Sequence, residues 1–237
     1  MTQEKDPRAQ NSRRPVNLDE LRRFWDTMSY YFPDLRVNLY LFNYKVIGNK
    51  SPLIQDNVRE NVPVAQAYEV VLGLLDDYHK GEDIVWVPAY SLTETDMLWV
   101  DDFKFDNELG LEPLFYIQTS PGKYQAFFKL TEPIPVREAD ELQKALARFV
   151  GDKTVGSFRY RRRMAGLANG KYEDDPLVTL TVPETPSLIS IRRTIGYYII
   201  PVNPAEYKPI THGKRDEFAQ KEMTNEAVLK MFVQTNY

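Results

Sequence analysis

The sequence predicts an α+β fold, because segments with helical periodicity are interspersed with short strands that adjoining turns join into hairpins. One observation is an antiparallel pair over 115–119 and 124–130, joined by a Ser-Pro-Gly-Lys sequence that is typical of a tight turn. Another is an amphipathic helix over Val136–Val150, whose inward face is predicted to consist of Leu142, Leu146 and Phe149. Local pairing of neighbouring strands, with separate helices, indicates α+β rather than a parallel sheet.

The remaining elements follow from capping residues, periodicity and breakers. The polar segment 1–14 is expected to be disordered. Asn17 is expected to cap a helix over Leu18–Tyr31, with Glu20 at the capping-box position. We then expect a strand over 36–43, a loop over 48–61, a helix over 63–79, strands over 83–88, 97–101, 177–182 and 189–200, a proline-rich connector over 201–209 and a last helix over 217–233.

Composition excludes several classes of protein. The chain has 237 residues and a formal net charge of −4. Cys is absent, so disulfides and thiolate zinc sites are excluded, and the two histidines are too far apart in sequence to favour a histidine metal site. There is no apolar run of membrane-spanning length, and the polar start carries no apolar signal core. We therefore expect a cytoplasmic protein with no membrane partner.

A basic segment, which we define as residues 151–171, stands out in this acidic chain. It contains six basic residues and one acid, Asp152, and the aromatic residues Phe158 and Tyr160 lie among the arginines. Local positive charge favours an anion such as phosphate, and interleaved aromatic rings can stack on bases. A solvated basic loop explains the charge equally well when the segment is taken alone.

A pair of carboxylates changes that balance. The apolar run Met97–Val100 is predicted to be a buried strand, and it ends abruptly at Asp101 and Asp102. Carboxylates at the end of a buried strand must be paired, hydrogen-bonded or bound to metal. Because Mg²⁺ takes carboxylate and phosphate oxygens, these acids and the basic segment together indicate metal-assisted phosphoryl chemistry. The acid pair Asp76-Asp77 lies on a helix instead and is expected to be a solvated surface.

Three motifs in order, the strand ending in Asp-Asp, TSPGKYQAFF and RMAGLANGK, resemble the RepB-type plasmid primases of the archaeo-eukaryotic primase and primase-polymerase superfamily. The resemblance covers about residues 80–180. It implies an RRM-like antiparallel sheet core with flanking helices and a two-metal active site that uses Mg²⁺ or Mn²⁺. It also implies a primase-type catalytic domain over 15–209, between the 1–14 tail and a C-terminal helical element over 210–237.

The resemblance also implies roles for particular residues. The metal ligands and catalytic acids would be Asp101, Asp102 and Asp152, which we expect to converge in space. The nucleotide-binding residues would be Ser120, Lys123, Gln125, Arg163, Asn169 and Lys171, with Gly166 completing the last motif. From the charge of the basic segment we predict that Arg159, Tyr160, Arg161 and Arg162 bind the template.

The chain departs from the family pattern at two points. Many relatives space their acids at i and i+2, which places both on one face of a strand, whereas Asp101 and Asp102 are adjacent. The strand must therefore end or bulge at Asp101, or one acid must act indirectly. Gln125 stands where many relatives have His, and an amide cannot carry charge toward a triphosphate.

The leading hypothesis is a template-directed nucleotidyltransferase that makes primers on single-stranded DNA from nucleoside triphosphates, alongside other replication proteins. Two alternatives stay open at this point, a non-catalytic single-strand-binding module and a metal-dependent nuclease that uses the same acids. A purely structural role for the acids is the remaining alternative. A polymerase requires divalent metal, whereas a binding module does not. A polymerase also extends strands, whereas a nuclease shortens them.

Overall fold

The computed structural model describes residues 14–42, 53–107, 109–152, 157–194 and 196–202. Within these ranges the helices are α1 (Leu18–Tyr31), α2 (Ala67–Leu72), α3 (Leu75–His79) and α4 (Val136–Val150). The strands are β1 (Arg36–Phe42), β2 (Leu53–Pro63), β3 (Asp83–Pro88), β4 (Glu94–Asp101), β5 (Phe115–Ser120), β6 (Lys123–Pro135), β7 (Thr179–Thr181), β8 (Leu188–Thr194) and β9 (Gly196–Val202). The predicted α+β class is confirmed. The predicted tail up to residue 13, the connector beyond residue 202 and the last helix lie outside the described residues.

Helix α1 begins where its cap was predicted. The side chain of Asn17 accepts a hydrogen bond from the backbone N–H of Glu20 at 3.1 Å, which satisfies one of the free donors of the first turn. Leu21, Phe24 and Trp25 lie on its buried face. This face packs onto the sheets, so the cap fixes where the helix enters the core.

The first sheet is antiparallel with the strand order β2-β1-β3. Strand β2 runs through residues that were predicted to form a loop, and that prediction is wrong. Two register shifts in its pairing with β1 accommodate an irregular sequence that has no strand periodicity of its own. The predicted helix over 63–79 is instead a 3-10 turn at Val64–Gln66 followed by α2 and α3, with a break at Gly73.

The second sheet is built around β6. Strand β4 pairs antiparallel along one edge of β6, whereas β5 and then β8 pair along the other edge. The predicted hairpin of β5 and β6 is confirmed. The single strand expected over 189–200 is instead the antiparallel pair β8 and β9, and the strand expected over 177–182 is shortened to β7.

Two layers cover this second sheet. Helix α4 packs against β4 with Leu142 and Leu146 buried, but Phe149 is 36% exposed, so its predicted inward position is wrong. Aromatic rings from α1 and β3 cover the other face, where Trp86 stacks on Phe127 at a centroid distance of 6.0 Å. Within the basic segment, Arg162 lies between Trp86 of the first sheet and Trp99 of the second, and Asp152 contacts the end of β4.

Candidate active site

Strand β4 ends at Asp101. This is one of the two ways in which adjacent acids were expected to avoid pointing to opposite faces of a strand. Asp102 has a φ of 49°, in the left-handed region that Asp and Asn tolerate better than most residues. Its backbone N–H donates to Oδ1 of Asp101 at 3.2 Å. The chain therefore turns between the two acids, and they do not alternate across the sheet as they would in a regular strand.

Asp152 is brought to the same place by the end of α4. Its backbone N–H donates to the carbonyl of Asp101 at 2.9 Å. This contact needs Gly151, because a Cβ on that residue would lie 2.0 Å from Cγ1 of Val100 and 2.5 Å from the carbonyl oxygen of Asp101. A glycine between the helix and the third acid lets the two backbones touch.

The electrostatics also couple the three acids. The pKa of Asp101 is raised, first by burial and then by the negative charges of Asp102 and Asp152, against a lowering by a hydrogen bond from Gln125. Lys123 lies on the other side of the pair, with its Nζ 2.7 Å from Oδ2 of Asp102. The pKa of Lys123 is raised by this hydrogen bond and by the charge of Asp102.

The acids fit a hard divalent cation in their chemistry, since all three are carboxylates and Mg²⁺ and Mn²⁺ take oxygen ligands. In the part of the chain that the structure describes, no three His, Cys, Asp or Glu side chains are gathered as a ready metal site. Asp102 instead gives an oxygen to Lys123. The backbones of Asp101 and Asp152 are in contact, and the Asp102 carboxylate is paired with a lysine.

The residues predicted to bind the nucleotide divide into two groups. The side chain of Lys123 is 52% exposed, and Lys171 is exposed with its Nζ 5.9 Å from the ring centroid of Tyr172. Four others, Ser120, Gln125, Arg163 and Asn169, are buried. The two lysines are therefore open to solvent, whereas the four buried residues are enclosed by the protein.

The side-chain amides of Gln125 and Asn169 already form hydrogen bonds within the protein. Oε1 of Gln125 accepts from the backbone N–H of Arg163 at 3.3 Å, while its amide donates to Asp101. Asn169 donates to the carbonyl of Thr119 at 2.7 Å and accepts from the backbone N–H of Lys171 at 3.2 Å. This geometry favours positioning by Gln125 and Asn169 over the direct nucleotide contact that was predicted for them.

Asp83 is a site-building residue that the sequence reasoning missed. It is buried at the start of β3 and forms ion pairs with Arg163, at 3.0 Å, and with Arg14, at 2.6 Å. Arg14 also stacks over Tyr78 at 4.3 Å, so its predicted place in a disordered tail is wrong. The available signal was an acid opening a wholly apolar strand, which requires a cationic partner.

Among the predicted template residues, Arg162 is buried and the other three lie nearer the surface. Its guanidinium lies 4.3 Å from the ring centroid of Trp99 and 4.8 Å from that of Trp86, and it donates to the carbonyl of Phe158. Burial lowers the pKa of Arg162 well below its ordinary value, and its exposed fraction is 0%. The guanidinium therefore cannot reach a template in this structure, and the template role predicted for Arg162 is wrong.

The other template candidates lie around an exposed aromatic ring. Tyr160 is 49% exposed and stacks nearly parallel to Trp99, with ring centroids 6.4 Å apart. Arg161 lies over Phe42 at 4.3 Å, and Arg159 donates to the carbonyl of Leu92 at 2.9 Å. Tyr160 and Arg161 lie toward the ends of β4 and β1, whereas the contacts of Arg159 lie before the start of β4, so the three side chains form a basic and aromatic surface along the strands.

Gly166 explains why the last motif contains glycine. Its φ is 88°, and an added Cβ would lie 2.4 Å from the backbone nitrogen of Leu21 and 2.5 Å from the carbonyl oxygen of Asn17. The carbonyl of Gly166 accepts from the N–H of Asn17 at 2.8 Å. The motif therefore packs directly against the first turn of α1, which ties that helix to the site.

A mainly antiparallel sheet with two acids at one strand end, and a third acid whose backbone is bonded to that end, is the arrangement expected of a nucleotidyltransferase domain. Residues 84–187 match the family model of the RepB DNA-primase N-terminal domain. Residues 84–187 are therefore a DNA-primase domain of the RepB type. The part of the chain that the structure describes contains no helix both long and apolar enough to span a membrane.

Two solved structures are similar to this chain. The catalytic domain of primase RepB′ in complex with initiator DNA has 20% identity and a TM-score of 0.54, over 68% of this chain and 84% of that one. Primase RepB′ has 19% identity and a TM-score of 0.52, over 70% of this chain and 56% of that one. These likenesses confirm the predicted primase-type fold. No curated protein matches the chain.

Proposed function

We propose that this primase is a template-directed nucleotidyltransferase that synthesises primers on single-stranded DNA, in the replication of a plasmid or another mobile element. The observation that carries the proposal is the junction of Asp152 with Asp101, through an N–H···O bond of 2.9 Å beside the acid pair. Asp152, which is distant in sequence from the adjacent acids, joins them at the end of β4, and Lys123 forms an ion pair with Asp102 there.

Asp101, Asp102 and Asp152 would hold Mg²⁺ or Mn²⁺, which when bound would offset negative charge on the transferred phosphoryl group and the leaving pyrophosphate. The chain's own residues do the positioning. Gln125 orients the Asp101 carboxyl by donating to it. Lys123 and Lys171 neutralise the triphosphate, since both are exposed.

The template would lie on the surface of Arg159, Tyr160 and Arg161. Tyr160 offers one face for stacking on a base, because its other face already rests on Trp99. Arginines without a neighbouring Asn or Gln reading set favour phosphate contacts over base contacts. The similar RepB′ catalytic domain is described with initiator DNA, which supports a nucleic-acid partner for this fold.

The test is a primer-synthesis assay with purified protein, a single-stranded template, labelled nucleoside triphosphates and Mg²⁺ or Mn²⁺. We expect labelled products longer than a dinucleotide that require the metal, and their loss in Asp101→Asn. Asp76→Asn is the matched control, because Asp76 is exposed on α3 and its loss should leave synthesis unchanged.

The alternatives predict other results in the same assay. Shortening of the template in place of strand growth would make the same acids those of a nuclease. Binding of the template that is indifferent to metal, with no product, would make the protein a binding module. Either result contradicts the proposal.

A further inference from the structure

Lys123 forms a contact that competes with metal binding. Its Nζ lies 2.7 Å from Oδ2 of Asp102, and this oxygen belongs to a proposed metal ligand. The side chains of Lys123 and Asp102 are 52% and 37% exposed, so neither is locked in place by packing. Lys123 follows the tight β5–β6 turn, and its four-carbon stem lets the ammonium group move without the backbone.

The phenol of Tyr172 lies near Lys123. Ser120 and Lys123 are register partners at the β5–β6 turn, and Tyr172 contacts Ser120. Lys171 approaches the same ring at 5.9 Å, and the hydroxyl of Ser120 donates to the Tyr172 hydroxyl at 3.3 Å. Two lysines therefore flank Tyr172, and together they can receive an anion with several charges.

We propose that Lys123 is an exchangeable counter-ion: it neutralises Asp102 while the site lacks metal, and it moves to the triphosphate when a divalent cation takes Asp102. The inference rests on the proposed function of the three acids. Without a counter-ion the carboxyls would repel one another, as the effect of Asp102 and Asp152 on Asp101 shows. With a metal bound, the same lysine is surplus at Asp102 and available for phosphate.

The exchange predicts that loss of Lys123 strengthens the binding of metal and weakens the binding of nucleotide. Replacing Lys123 with Met removes the competitor for Asp102, so Mn²⁺ alone should bind more tightly, by about two- to five-fold for an exposed ion pair. The same change removes a phosphate ligand, so the apparent KM for the nucleotide should rise. A lysine that only binds phosphate would leave Mn²⁺ affinity unchanged, and one that only orients Asp102 would weaken Mn²⁺ when removed.

The experiment measures Mn²⁺ binding to the full chain, without nucleotide, by electron paramagnetic resonance of the free ion. The variants are Lys123→Met, Asp101→Asn and the control Lys104→Met. Lys104 is exposed and lies two residues from Asp102, so it matches the loss of one positive charge near the acids. Thermal unfolding of each variant checks that the fold is kept.

The expected result is tighter Mn²⁺ binding in Lys123→Met than in Lys104→Met, together with a raised nucleotide KM. Equal or weaker binding in Lys123→Met overturns the exchange, and if Asp101→Asn still weakens Mn²⁺ the proposed metal site survives that failure. If Asp101→Asn leaves Mn²⁺ binding unchanged, the metal site itself is wrong and the exchange falls with it.

Discussion

The close contact at Gly151 makes a sharp prediction for the variant Gly151→Ala. The new Cβ would lie 2.0 Å from Cγ1 of Val100 and 2.5 Å from the carbonyl oxygen of Asp101. Val100 is buried and β-branched, so its side chain cannot rotate away freely, and the carbonyl belongs to the backbone. Helix α4 must therefore move away from the end of β4.

The cost has two parts. Overpacking a well-packed core costs about 1–3 kcal/mol. Losing the bond from the Asp152 N–H to the Asp101 carbonyl adds about 0.5–1.5 kcal/mol. We therefore expect the free energy of unfolding to fall by about 2–4 kcal/mol, which lowers the Tm by about 5–15 °C in a domain of this size.

Thermal unfolding and primer synthesis are the two measurements. Activity at a temperature where the variant is folded should fall by more than the loss of folded protein explains, because Asp152 is displaced from Asp101. Gly73→Ala is the control, since its added Cβ would come no closer than 3.4 Å to any atom and its φ of −66° suits alanine. If Gly151→Ala were as stable and as active as Gly73→Ala, the inferred contact between α4 and β4 would be refuted.

Further predictions concern charge and stacking. Asp101→Asn should have a higher free energy of unfolding than the parent at pH 7. Burial and the neighbouring acids raise the pKa of the Asp101 carboxyl above 3.8 in the folded state, so the parent loses stability as the pH rises through that pKa. Urea unfolding at a series of pH values should show this loss in the parent and not in the variant. Arg161→Met should flatten the salt dependence of single-strand binding by about 0.7 in slope. Arg162→Met should leave that slope unchanged and keep or raise the free energy of unfolding, because it replaces a buried charge with an apolar side chain. Tyr160→Ala should weaken single-strand binding by about 1–3 kcal/mol in a titration at fixed salt.

Elements with strong local signals were predictable from sequence. The cap at Asn17, the β5–β6 hairpin and helix α4 each depend on residues that are close in the chain. The same holds for the end of β4, where an apolar run meets two carboxylates and the strand does stop at Asp101. Local chemistry is sufficient in these places because the capping groups, turn residues and periodicity act over a few residues.

Elements that depend on partners distant in sequence were not predictable. Strand β2 has no alternating pattern and exists because β1 pairs with it across two register shifts. The segment that forms β8 and β9 has strand propensity along its length, so propensity alone does not show where one strand ends and the next begins. The antiparallel pairing of β8 with β9 decides that. Arg14 likewise looked like part of a polar tail until Asp83 supplied a buried partner at 2.6 Å.

The sequence by itself was enough to identify three candidate acids and a basic segment and to predict phosphoryl chemistry for them, because residue type and order show charge and motif. It could not rank the arginines within RYRRRM, which look equivalent in one dimension. The tertiary structure decided their roles: Arg162 pairs with Trp86 as an antiparallel bridge, and extended backbone turns successive side chains to opposite sides. Arg161 therefore stays near the surface over Phe42, while Arg162 enters the aromatic core.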